Sequence, residues 1–134
     1  MVFADTSVLL PFLDGGDNDH GAVAAAWRAL ADAGEPVLTT NYVLVETFAL
    51  AQRRLGMDAV RDLAQRVVPA LGIEWVDAET HDRSVAGFLA ADRRSLSLVD
   101  CASFVVLRRL GITRVLSLDP HFREQGYECL PSSQ

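Results

Sequence analysis

Four acidic residues end or interrupt apolar segments of this sequence, where an unpaired charge is costly. They are Asp5, Glu46, Asp100 and Asp119. Carboxylate oxygens are the preferred protein ligands of Mg²⁺ and Mn²⁺, and a carboxylate can also act as a general base. If the fold brings these four side chains together, we expect a site that binds a divalent cation.

Three of the four acids also have a purely structural interpretation. Asp5 follows a short apolar run and could form a turn or cap a helix, and Asp119 could do the same before Pro120. Asp100 begins a helical segment, where the helix dipole favours an acid. The serines nearest to Asp100 are candidates to cap this helix or to orient the carboxylate, and we expect at least one to cap. These serines are Ser95, Ser97 and Ser103.

Glu46 is harder to explain as a surface residue, because its neighbours on a helix are apolar or aromatic. Those neighbours are Tyr42, Val43, Ala49 and Leu50. Glu46 therefore forms a buried pair with an arginine, reaches solvent along its side chain, or serves a site as ligand or base. The histidines His20, His81 and His121 are scattered and contain no His-x-x-x-His pair, so we expect no zinc site and assign them no role.

The elements that must position the acids alternate between short apolar segments and longer helical ones. The predicted strands are VFA, PVLTT, IEWV, RVLSLD and YECL, and the predicted helices lie in HGAVAAAWRALADAG, NYVLVETFALAQRRLG, MDAVRDLAQRVVPALG, AETHDRSVAGFLAADR and SLSLVDCASFVVLRRLG. PHFREQG is a turn or a short helix. This alternation predicts an α/β fold with a mainly parallel sheet covered on both faces. Asp5 and Asp119 end two predicted strands, where ligands of such sheets bind.

The 134 residues suit one domain, which we place at 1–134. The net charge of −6 argues against binding nucleic acid through broad neutralisation of phosphates. It does not exclude an enzyme that meets phosphate through a bound metal. No basic stretch precedes Asp5, and Cys101 and Cys129 have no metal-ligand spacing. We therefore expect a cytoplasmic protein with free thiols.

Four segments together resemble, in order and spacing, the PIN-domain ribonucleases and especially the VapC-type toxins of toxin–antitoxin pairs. The segments are VFADTSVLL, TTNYVLVETFAL, SLSLVDCASFVVLRRLGI and RVLSLDPHFREQGYECL. The most specific parts are LSLVDCASF and LDPHFREQGY. The resemblance covers essentially the whole chain and implies a three-layer α/β/α PIN-like domain.

The resemblance places the family's four acidic positions on Asp5, Glu46, Asp100 and Asp119, and its small hydroxyl residue on Thr6 or Ser7. It implies an endoribonuclease that hydrolyses single-stranded RNA with Mg²⁺, for which Mn²⁺ could substitute. Asp5 and Asp100 would be the principal metal ligands, and Asp119 and Glu46 would complete the site directly or through water. It also implies a homodimer and a cognate antitoxin.

Three alternatives differ from this interpretation in testable ways. A receiver-like signalling domain would need a late lysine, and the sequence contains none. A haloacid-type phosphatase would need an aspartate two residues after the first, where Ser7 stands. A catalytically silent or housekeeping RNA-binding module on the same fold stays open, although the presence of all four acids disfavours a silent one.

Overall fold

The computed structural model describes residues 1–132, and within them the chain forms a five-stranded sheet surrounded by helices. The strands are β1 (Val2–Ala4), β2 (Val37–Thr40), β3 (Gly72–Glu74), β4 (Arg114–Leu116) and β5 (Glu128–Leu130). The helices are α1 (Thr6–Leu13), α2 (His20–Asp32), α3 (Asn41–Arg54), α4 (Met57–Asp62), α5 (Ala78–Ala91), α6 (Leu98–Leu110) and α7 (Pro120–Glu124). No helix in this part of the chain is long and apolar enough to span a bilayer.

The strand order is β3-β2-β1-β4-β5, and all four strand pairings are parallel. The sequence predicted a mainly parallel sheet, so the fold class is confirmed and the sheet is more uniform than expected. β1 is central and its three residues have no exposed surface. Because successive side chains of a strand point to opposite faces, this burial shows that helices cover both faces of the sheet.

Two strands are shorter than predicted. β4 ends at Leu116 rather than at the end of RVLSLD, so Asp119 lies beyond the strand that it was expected to end. The third strand is shorter than the predicted IEWV. It ends at Glu74, and Trp75 is 67% exposed. The backbone N–H of Val76 donates to Asn41 Oδ1 (2.7 Å), a side chain at the start of α3, rather than to a neighbouring strand. This bond leads the chain out of the sheet toward α5.

The segment MDAVRDLAQRVVPALG, predicted as a helix that bends or ends near Pro69, is a succession of three helical types. α4 ends at Asp62, a π-helical turn follows over Leu63–Val67, and a 3₁₀ turn follows over Val68–Ala70. Pro69 has no N–H to donate to the preceding turn, so a regular α-helix cannot continue through it. The structure also adds α1, which Asp5 caps directly after β1.

Candidate active site

All four sequence-predicted acids line one cavity of about 360 Å³ at the carboxyl ends of the central strands. Asp5 directly follows β1, and Asp119 follows β4, the strand that pairs with β1. Asp100 comes from the first turn of α6, and Glu46 from the middle of α3. Four elements far apart in sequence therefore bring four carboxyl groups to one place.

Asp5 is held at the end of β1 by both its backbone and its side chain. Its N–H donates to the carbonyl of Leu116 at the end of β4 (2.9 Å). Its Oδ2 accepts from the N–H of Ser7 (3.2 Å) and from the Ser7 hydroxyl (2.7 Å), which caps α1. Asp5 is only 4% exposed, and this burial is the main cause that raises its pKa to about 6; Ser7 opposes the rise, and the negative charges of Asp100 and Asp119 add to it.

The hydroxyls of Thr6 and Ser7, the two candidates for the small hydroxyl residue, lie in different surroundings. Ser7 bonds to Asp5, whereas Thr6 Oγ1 donates to the carbonyl of Val43 (3.3 Å) and lies 3.0 Å from Thr47 Oγ1. Thr6 therefore fastens α1 to α3. The contact fixes the part of α3 next to Glu46, whose half-buried side chain faces the cavity.

Asp100 belongs to a capping box at the start of α6. Ser97 Oγ accepts from the N–H of Asp100 (3.0 Å), and Asp100 Oδ2 accepts from the N–H of Ser97 (3.1 Å). The expectation that a nearby serine caps this helix is confirmed for Ser97. Burial raises the pKa of Asp100 above its ordinary value; the bond from Ser97 lowers it, and the charge of Asp119 raises it further.

Asp119 is linked to Asp5 through two serine hydroxyls that the sequence did not single out as a pair. Ser117 Oγ accepts from the N–H of Asp119 (3.0 Å) and lies 3.2 Å from Ser7 Oγ. Ser7 Oγ also accepts from the N–H of Leu118 (2.9 Å). These bonds hold the loop after β4 against the start of α1, and so set the position of Asp119 relative to Asp5.

His121 is a member of the site that the sequence interpretation missed. Its Nδ1 lies 2.7 Å from Asp119 Oδ1 and 4.0 Å from Asp100 Oδ2. One ligand atom from each of these three residues lies within 4.8 Å of the others. The one feature of the sequence that could have indicated this contact is that His121 comes two residues after Asp119, which caps α7. His121 was overlooked because the three histidines are scattered along the sequence, although the fold brings His121 next to the acids.

The donor set suits a divalent cation. Burial and mutual repulsion disfavour the charged forms of Asp5 and Asp100, and a cation between the carboxylates would relieve both effects. In each of these three carboxylates, one oxygen accepts the bond that caps a helix. Within residues 1–132 the second oxygen takes part in no protein hydrogen bond. Helix capping and cation binding are therefore compatible roles for Asp5, Asp100 and Asp119.

Comparisons with known proteins agree with this geometry. The family model of the PIN domain matches residues 2–126. The 23S rRNA-specific endonuclease VapC20 of Mycobacterium tuberculosis is 34% identical over 128 residues, which cover 95% of each chain. The ribonuclease VapC26 of the same organism is 30% identical over 119 residues, which cover 86% of this chain and 84% of that one.

A solved structure extends the likeness to three dimensions. The crystal structure of VapC20, described as a sarcin–ricin loop cleaving toxin, matches with a TM-score of 0.83 and 32% identity, over 95% of this chain and 96% of that one. Sequence family and overall fold thus agree. The chain belongs to the PIN-domain family.

Proposed function

We propose that this protein is a metal-dependent endoribonuclease and the toxin of a toxin–antitoxin pair. The observation that carries the proposal is the convergence of Asp5, Glu46, Asp100 and Asp119 on one cavity at the carboxyl ends of β1 and β4. Family membership supports a nuclease, because the relatives with the matching chain length are named as endonucleases or ribonucleases.

Asp5, Asp100 and Asp119 would hold the divalent cation, which we propose to be Mg²⁺ with Mn²⁺ as a substitute. When bound, the ion would supply positive charge for the phosphate and an activated water for hydrolysis. Carboxylates alone would repel a phosphodiester, so the acids need such an ion to accept this substrate.

Other side chains at the cavity would position the metal ligands or transfer a proton. Ser7 and Ser117 orient Asp5 and the loop that carries Asp119. Glu46 enters from α3 and, as general base, would accept the proton of the attacking water. Hydrolysis then forms a bond from this water oxygen to phosphorus and breaks the bond from phosphorus to the 3′ oxygen. The leaving 3′ oxygen takes up a proton from solvent, and Glu46 returns its proton to solvent.

Ribosomal RNA is the first substrate to test, because a relative that matches 95% of the chain is specific for 23S rRNA. We place the scissile bond in a single-stranded or loop region, since a flexible strand can enter a cavity that a regular duplex cannot. Arg54, at the end of α3, lines the same cavity and would contact a phosphate beside the scissile one.

The decisive experiment combines cleavage with thermal melting for the wild type and Asp100→Asn. Ribosomes and 23S rRNA are incubated with antitoxin-free protein in Mg²⁺, Mn²⁺ or chelator, and cut sites are mapped by primer extension. We expect cleavage only with metal and only by the wild type. Asp100→Asn keeps the helix cap and removes a charge, so it should melt at a higher temperature without metal and gain less from Mg²⁺.

Asp77→Asn is the matched control, because Asp77 caps α5 on the exposed surface away from the cavity. It should cleave and respond to Mg²⁺ like the wild type. Full-rate cleavage in chelator would overturn the metal-dependent mechanism. Inactivity of the folded wild type on ribosomal and other RNAs would favour the silent RNA-binding module instead.

A cognate antitoxin and a homodimer complete the proposal. An apolar surface suited to a second copy lies next to the acidic cavity, where Tyr42, Val45, Leu98 and Val99 line a second cavity that also includes Glu46. Val45 is 68% exposed.

We expect induction of the wild type to arrest growth, co-expression of the antitoxin to relieve the arrest, and Asp100→Asn to be harmless. Normal growth with abundant folded wild type would refute the toxin role.

A further inference from the structure

His121 is the one nitrogen donor in the acidic cluster, and the proposed function gives it no task. Its side chain is 13% exposed, and its Nδ1 atom is buried without a hydrogen-bond partner in the described chain. The 2.7 Å contact with Asp119 Oδ1 lacks the direction of a hydrogen bond. A buried polar atom without a partner is costly, which suggests that a ligand completes its surroundings.

We propose that His121 Nδ1 ligates the cation beside Asp100 and Asp119, and that this nitrogen ligand raises the affinity of the site for Mn²⁺ relative to Mg²⁺. This inference rests on the proposed cation site and deepens it by naming a nitrogen ligand and an ion preference. Imidazole suits transition metals, whereas Mg²⁺ keeps to oxygen ligands and its own waters. A single nitrogen donor among carboxylates thus shifts selectivity without removing Mg²⁺ binding.

The distances around Nδ1 support ligation. Ligands about 2.1 Å from one octahedral ion lie roughly 3 Å apart when adjacent and roughly 4 Å apart when opposite. The Nδ1 atom lies 2.7 Å from Asp119 Oδ1 and 4.0 Å from Asp100 Oδ2. These two oxygens are the ones that accept the helix-capping bonds. A carboxylate oxygen has two lone pairs, so the same atom can accept a capping bond and also bind an ion beside Nδ1.

The other ring nitrogen has a partner of its own. His121 Nε2 lies 3.4 Å from Ser95 Oγ, at the start of the segment that leads into α6. When Nε2–H donates to this hydroxyl, the lone pair remains on Nδ1, which is the form that a metal ligand requires. In the alternative role, Nδ1 carries the proton, binds no ion and only orients the Asp119 carboxylate.

Electron spin-echo spectroscopy of bound Mn²⁺ separates these two roles, because it detects nitrogen coordinated directly to the ion. The untagged wild type should show this coupling, and His121→Asn should lose it. Asparagine places an N–H donor near the position of Nδ1, so it preserves an orienting bond to Asp119 but provides no imidazole. A variant with His20→Gln and His81→Gln keeps His121 as the only histidine and should retain the coupling.

Competition between Mn²⁺ and Mg²⁺ gives a second readout. We expect His121→Asn to reduce the preference for Mn²⁺ by about tenfold or more, since even residues that only support a ligand change metal affinity about 10–100-fold. Mn²⁺ binding that depends on Asp100 but shows no nitrogen coupling would overturn this inference and leave the nuclease proposal intact. Failure of the folded wild type to bind Mn²⁺ or Mg²⁺ would overturn both.

Discussion

At the scale of single residues, the structural and functional interpretations of the acids turn out to be compatible. Asp5 caps α1, Asp100 closes the capping box of α6, and Asp119 caps α7. One oxygen of each carboxylate accepts the capping bond, and the other accepts no hydrogen bond within residues 1–132. The capping bonds fix each carboxylate before any cation arrives, so the site is largely preorganised.

Asp5→Asn should stabilise the metal-free protein at neutral pH. The pKa of Asp5 rises from 3.8 to about 6 on folding, chiefly through burial, so the folded state holds this proton more tightly than the unfolded chain. Its ionisation therefore lowers the free energy of unfolding as pH rises from 3.8 to about 6. Asparagine caps as well and carries no charge, so we expect a gain of up to about 3 kcal/mol.

Urea unfolding in chelator, at several pH values from about 4 to about 8, measures this gain. The difference between variant and wild type should be near zero at the acidic end and reach its plateau above the folded pKa. Asp77→Asn should show no such gain, because the pKa of the exposed Asp77 is lowered by its bond from Thr80. A gain that is the same at every pH would contradict a charge effect at Asp5.

Residue types and order along the chain were enough to predict the four acids, but not their partners. Asp5 and Asp119 could be expected to meet because both were predicted to end strands of a parallel sheet. The end predicted for the second strand was wrong, since β4 stops at Leu116, but Asp119 still follows that strand closely enough to reach the cavity. Ser117 and His121 contact them only through the loop that follows β4, whose path no periodicity encodes. The roles of the acids in catalysis and metal binding stay predictions.

At the scale of elements, the start of α6 couples helix stability to the site. Ser97→Ala removes the acceptor for the N–H of Asp100 and should lower the free energy of unfolding by about 1 kcal/mol. It should also reduce kcat more than KM, because the first turn of α6 loses the bond that holds the Asp100 backbone in place, although the Asp100 carboxylate keeps its bond from the Ser97 N–H. Ser97→Thr restores the acceptor and should recover both properties. Loss of stability with unchanged kcat would show that the cap does not position Asp100.

The elements that the sequence predicted well are those with recognisable capping residues at both ends. α6 begins at the Ser97 cap and ends at Gly111, whose φ of 67° suits glycine, and both ends were visible as residue types. β3 was predicted too long because its end depends on Asn41, which is 35 positions from Val76 in sequence. The π turn before Pro69 was missed for a related reason, since helical spacing does not reveal a locally widened turn.

At the scale of the whole molecule, an acidic protein has to bind a polyanion. The net charge of −6 repels RNA at long range, and the acids concentrated in the cavity strengthen that repulsion near the site. We therefore expect RNA binding to depend on few local cations, including Arg54, which lines the cavity. Its neighbour Arg53 lies in the same last turn of α3 and is also exposed, but does not line the cavity.

This contrast makes Arg54→Ala and Arg53→Ala a matched pair for RNA binding. In an Asp100→Asn background, which prevents cleavage, Arg54→Ala should weaken binding by roughly fivefold to tenfold at about 0.1 M salt, the contribution of one released counterion. The slope of log Kd against log salt should fall by about 1. Arg53→Ala should leave both quantities close to the parent values, because its guanidinium contributes only to the general field, which salt screens. Equal effects from the two variants would mean that overall charge governs binding, and would remove Arg54 from the substrate-binding surface.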